Sequence, residues 1–174
     1  MRKQAPVHGF TLVELMVTIA VAAILLAIAA PSFQTLLMNN RMSSQADGLF
    51  TGLNYARNTA LSGNVQAVVC PVGATGSTTC GTDWSVGWMA VGDPTGTPTL
   101  LQSYTSVAGR PILSSTAGSV AFDSRGLASV QANFKICDSR GSYYARSLLT
   151  TATGFVQAGQ KPGQAVWGGA LSCP

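Results

Sequence analysis

The chain of 174 residues has room for one membrane-length apolar helix and one compact domain of ordinary size. Only 9% of its residues are charged and 19 are glycine, which excludes a disordered, highly charged tail and favours a turn-rich β structure. Ten basic side chains oppose six acidic ones for a net charge of +4, an excess that falls to two without Arg2 and Lys3, so the drive toward nucleic acid is weak.

The first nine residues, Met1 to Gly9, are short and basic, and the positive-inside bias keeps Arg2 and Lys3 on the cytoplasmic side. From Phe10 to Ala30 the one ionisable side chain is Glu14. About twenty-one helical residues rising 1.5 Å each span roughly one hydrocarbon core. A secretory signal carries its small-residue cleavage site after the apolar run, whereas here Gly9 precedes it. A carboxylate inside an apolar helix costs a few kcal/mol at bilayer depth, so Glu14 is expected to be paired or functional. If the chain is cut after Gly9, the new amino group of Phe10 lies near Glu14, whose carboxylate also gains from the helix N-terminal dipole.

Gly9-Phe10-Thr11-Leu12-Val13-Glu14-Leu15 behind a short basic leader resembles the class III signal of type IV pilins and type II secretion pseudopilins. The resemblance implies cleavage after Gly9 by a prepilin peptidase, N-methylation of Phe10, and pairing between subunits through Glu14. The alternative is a signal anchor in which Glu14 is an incidental charge near the membrane surface.

Beyond Pro31, the residues Met42, Ala46, Leu49, Leu53, Ala56 and Ala60 recur at alternating spacings of four and three, which puts them on one helical face. Arg41, Asn54 and Arg57 fall off that face. Pro31 removes a helical N–H and predicts a kink or local opening. Ser62-Gly63-Asn64 supplies the stop, so the helix is expected from about Phe10 to about Leu61. The expected division is a leader at 1–9, a transmembrane and assembly half at 10–31, an amphipathic half at 32–62, and a β-rich head at 63–174.

From Val65 the period changes to two, with Val65, Ala67 and Val69 alternating with their neighbours. Further strands are expected at Ser85–Val91, Leu100–Val107, Ser119–Phe122, Ala128–Ile136, Ala145–Thr151 and Gly154–Ala158. Gly73–Thr82 and Gly92–Thr99 read as surface loops. Trp84 and Trp88, four apart on an expected strand, should share a face and pack on the helix. Asp123-Ser124-Arg125-Gly126 and Asp138-Ser139-Arg140-Gly141 are two copies of one turn, with glycine where a positive φ is needed and both arginines directed to solvent.

Cys70, Cys80, Cys137 and Cys173 form no C-x-x-C pair, and an exported domain in an oxidising compartment favours disulfides over zinc. Four cysteines permit three pairings. The preferred one, Cys70–Cys80 with Cys137–Cys173, closes a short Gly/Thr-rich loop and ties the C-terminal tail to an inner strand.

The run from Phe122 to Ala128, followed by Phe134-Lys135-Ile136-Cys137-Asp138-Ser139-Arg140-Gly141 and Ala145-Arg146, looks like the C-terminal half of the GspH/FimT family of minor pilins and pseudopilins. The resemblance implies an α+β type IV pilin fold: a long N-terminal α-helix, transmembrane in its first half, packed on a C-terminal antiparallel β-sheet head. No enzyme and no cofactor is expected, since the one histidine, His8, lies in the leader, no two carboxylates are close in sequence, and no phosphate-binding loop occurs. DNA-binding FimT-type members carry a Gly-Arg-x-Arg motif near the C-terminus, where this chain reads Gly154-Phe155-Val156-Gln157; Arg140, Arg146 and Lys161 remain as weak phosphate contacts, and DNA is a disfavoured partner. The leading expectation is a minor pilin that joins a tip complex and primes pilus assembly for twitching motility and adhesion. It would reside in the bacterial inner membrane as a single-pass protein with its N-terminus cytoplasmic, then in the filament. Its implied partners are the prepilin peptidase, other minor pilins, the major pilin and a tip adhesin. The alternatives are a FimT-like DNA receptor for natural transformation and a GspH-like pseudopilin of type II secretion.

Overall fold

The computed structural model describes residues 9–74, 77–106 and 111–173. The expected leader up to His8, the tip of the first surface loop and the Val107 end of one expected strand lie outside them. Helix α1 runs from Leu12 to Gly63, 52 residues. It starts where the Thr11 hydroxyl accepts a hydrogen bond from the Glu14 amide at 3.2 Å, satisfying a first-turn donor. It stops at Asn64, which adopts φ 51°. Residues on both sides of Pro31 are helical, and the Thr35 hydroxyl donates to the Pro31 carbonyl at 3.1 Å.

The chain divides into two compact units, Met1–Met38 and Asn39–Pro174. The described part of the first is the apolar stretch of α1, a helix long and apolar enough to cross a membrane, with its large side chains from Phe10 to Leu37 exposed. The second unit contains the remainder of α1 and eight strands. All six helix residues assigned to one face are buried, joined by Gln45 and Gly52.

Strands β1 (Ala67–Pro71), β2 (Gly87–Gly92), β3 (Thr99–Thr105) and β5 (Val120–Phe122) form an antiparallel sheet in the order β3-β2-β1-β5. A second antiparallel sheet has the order β4-β6-β7-β8, from Ile112–Ser115, Ala132–Cys137, Arg146–Thr150 and Val156–Ala158. Both sheets turn side chains toward the same helix face: Val69, Trp88 and Phe122 from the first and Leu113, Phe134, Ile136 and Leu148 from the second share one core with Leu49 and Leu53. Each fully buried large apolar side chain contributes about 1.5–3 kcal/mol, which is why the helix face and both sheets cohere. On the reverse of the first sheet Cys70, Met89 and Val91 form a smaller cluster, as the period of two requires.

Two expected strands are corrected, and one further strand is present. Strand β4 lies where no strand is expected, and its edge position against β6 makes Ile112–Ser115 a strand. The expected strand from Ser85 begins with a 3-10 turn, Trp84–Val86, so Trp84 does not share a strand with Trp88. Trp84 is buried edge-on against Phe134 at 5.2 Å, its indole N–H donating to the Ala117 carbonyl, while Trp88 packs on α1. The strand expected from Ala128 starts at Ala132, because Ala128 bridges back to Phe122 and the Ser129 amide donates to the Ala121 carbonyl, which bends the chain away before β6. Disulfides join Cys70 to Cys80 and Cys137 to Cys173, the second linking the tail to β6, an inner strand.

Candidate functional site

The N-terminal segment presents Gly9 and Phe10 exposed ahead of the first helical turn. Glu14 stands in that turn, three residues after the capping Thr11. Thr11-x-x-Glu14 has the spacing of a capping box, a local signal carried by the sequence itself. Around this carboxylate the exposed surface is built from Leu12, Val13, Leu15, Met16 and Val17. An apolar surface of this extent is stable in a bilayer or against other helices, not in water.

The two Asp-Ser-Arg-Gly turns share their local geometry. In each the aspartate accepts the amide of the arginine two residues on and pairs with its guanidinium, and each glycine has a positive φ, 76° at Gly126 and 88° at Gly141. The Leu127 amide, first, and the Arg125 side chain hold the Asp123 carboxyl below the usual carboxylate range. The Ser85 hydroxyl and amide do the same for Asp83.

Their arginines differ. The Arg125 side chain is 77% exposed and directed to solvent, as expected, but that of Arg140 is only 15% exposed. Arg140 donates to Asp138 at 2.6 and 2.9 Å and to Asn39 Oδ1 at 2.8 Å, and lies 4.1 Å from the centre of the Tyr144 ring. A cation held this way is spent on the fold, so Arg140 is corrected from a solvent-directed residue to a clamp between turn and helix. Its partners Asn39 and Tyr144 carried no sequence signal, being brought to it by packing.

Arg57, off the buried face, also has a structural job: its Nε donates to the Gly126 carbonyl at 3.0 Å. Arg146 and Lys161 line one recess with Tyr143 and Tyr144. Phe155 and Gln157, at the positions of the two missing arginines, are exposed, while Gly154 and Val156 are buried. Among the described residues there is no group of three or more His, Cys, Asp or Glu side chains arranged to hold a metal.

A membrane-length N-terminal helix that continues into an antiparallel β head around its own second half defines a type IV pilin-like protein. A family model described as type II transport protein GspH matches residues 45–154, and a prokaryotic N-terminal methylation motif matches residues 5–30. The chain belongs to the GspH family. Crystal structures of the type IV minor pilin FimU from Pseudomonas aeruginosa strain PAO1 are similar in fold. One, 20% identical, covers 71% of this chain and 98% of its own with a TM-score of 0.54; another, 22% identical, covers 70% and 95% with a TM-score of 0.52. No curated protein sequence matched the chain.

Proposed function

We propose that this protein is a minor type IV pilin that is cleaved after Gly9, methylated at Phe10, held in the inner membrane by the apolar half of α1, and incorporated with other minor pilins into a tip complex that primes the filament. The observation that carries the reading is the position of Glu14, the one ionisable side chain in an exposed apolar segment and in the first turn of its helix. There a carboxylate can pair with the amino group that cleavage creates on a neighbouring subunit. Pro31, lacking an amide donor, gives the same helix a place to bend.

The test is Glu14→Leu in the native host. The variant is expected to be inserted and cleaved but absent from sheared filaments, with fewer pili per cell; normal incorporation and pilus number would sink the reading. The description of the matched family as a type II transport protein favours a pseudopilin as the second reading. A deletion strain separates the two, since loss of twitching with intact protein secretion supports the pilin and the reverse supports the pseudopilin. DNA uptake ranks below both because Phe155 and Gln157 replace the arginines of the DNA-binding motif. A DNA titration of the full chain in detergent that showed tight, steeply salt-dependent binding would reverse that order.

A further inference from the structure

Arg146 opens β7 beside the start of the head's helical segment, and its guanidinium is left incompletely satisfied. Nη2 donates to the Ser43 hydroxyl at 3.3 Å, a long bond, and Nε is buried with no acceptor among the described residues. The two ion pairs of the described residues belong to Arg125 and Arg140, and Asp47, one helical turn beyond Ser43, is exposed and pairs with neither Arg146 nor Lys161. Nε faces inward and is out of reach of solvent, so the donor capacity that an anion can use belongs to the part of the guanidinium that lines the recess.

The recess that Arg146 lines has a volume of about 400 Å³ and includes Asn39, Tyr143, Tyr144, Lys161 and Gln164. Asn39 Oδ1 is already occupied by Arg140, so it does not compete for Arg146. A second hollow of about 730 Å³ shares Lys161 and Gln164 with the first and continues along β8, with Phe50 and Phe155 in its wall. Sharing Lys161 and Gln164, the two hollows place a cationic end beside a mixed stretch in which Phe50 and Phe155 supply apolar wall among Gln157 and Gln160.

We propose that this joined recess docks a protein segment bearing an Asp or Glu beside an apolar residue, the carboxylate meeting Arg146 and Lys161 and the apolar side chain lying on Phe50 and Phe155. A planar guanidinium matches a carboxylate with two parallel hydrogen bonds. A half-buried guanidinium with one exposed ammonium beside it suits one such group, whereas a nucleic acid backbone requires several cations spread over a surface. That the segment comes from a neighbouring head rests on the pilin reading above; the binding chemistry does not.

The test is an NMR titration of the full-length chain in detergent micelles, following the Arg146 Nε–H signal, assigned by its loss in Arg146→Gln. The probes are the capped dipeptide acetyl-Leu-Glu-amide, its Gln counterpart, inorganic phosphate and a short single-stranded oligonucleotide. The Glu dipeptide is expected to shift the signal saturably and the Gln dipeptide to bind at least ~10-fold more weakly, about the weight of one charge-assisted pair. Lys161→Gln, at an exposed position that leaves the fold intact, should weaken the Glu dipeptide several-fold. No saturable shift, equal binding of both dipeptides, unchanged affinity in Lys161→Gln, or tighter binding of phosphate or oligonucleotide would each overturn the proposal. None of these outcomes bears on filament incorporation, which Glu14→Leu tests separately.

Discussion

The six-membered ring of the Trp88 indole fills the space that a side chain at Gly52 would need: a Cβ there falls inside contact distance of Cη2, Cζ3 and Cζ2. Gly52 is thus a point of close approach between the helix and the first sheet, and it is buried although glycine is a poor helix former. One turn back, a Cβ at Gly48 would stand 3.9 Å from the same indole, an ordinary contact.

The two glycines therefore respond in opposite directions to the same substitution. Gly48→Ala should stabilise the head by up to about 1 kcal/mol through helix propensity alone. At Gly52 the same gain is outweighed by overpacking of about 1–3 kcal/mol, so Gly52→Ala should be net destabilising, and adding Trp88→Phe should recover part of the loss. Chemical denaturation of the full chain in detergent, read by tryptophan fluorescence, measures both; a stabilised Gly52→Ala would contradict the packing described.

The paired turns offer a second contrast. Arg140→Gln leaves the Asp138 carboxylate short of its cation in a mostly buried site and should cost roughly 2–4 kcal/mol, since breaking a buried pair strands a charge. Arg125→Gln removes the same pair at the surface and should cost under about 1 kcal/mol. Equal losses in a thermal melt would show that the Tyr144 and Asn39 contacts add nothing.

Acid should expose the first turn. The Asp123 carboxyl has a lower pKa folded than unfolded, so its stabilising contribution is complete above the unfolded value, about 4, and is lost as pH falls through the depressed folded value. Asp83 acts in the same sense. Stability of the wild-type chain should fall as pH drops below about 5, with a shallower slope in Asp123→Asn across that window. An unchanged slope would exclude Asp123 as a contributor.

Leader processing is tested at Gly9, where a Cβ would meet nothing within 4 Å, so folding does not restrict the substitution. Gly9→Val is expected to block cleavage by the peptidase, leaving a chain heavier by the nine leader residues on intact-mass analysis of membranes. A mass identical to the processed wild type would move the cleavage site elsewhere.

Local rules carried much of this protein. The solvent each half of α1 requires follows from periodicity, because the first half is apolar on every side and the second has one apolar face from Met42 to Ala60. The two Asp-Ser-Arg-Gly turns are equally legible, since their hydrogen bonds close within four residues. The Thr11 cap is local in the same way, closing on the Glu14 amide three residues on.

What the amino-acid order left open depended on contacts far apart along the chain. Two sheets sharing one helix face, β4 as a strand, and the choice of Arg140 over Arg125 as the buried arginine all arise from packing. The Arg140 contact with Asn39 spans 101 positions. Identical turns carry no mark of which will be covered; that is decided when the second sheet closes against the helix, and the same closure gathers Arg146 and Lys161 into one recess. The helix, its change of solvent and its turns are legible in the amino-acid order because their energies are local, whereas the burial of Arg140 and the exposure of Arg125 follow from packing between distant segments.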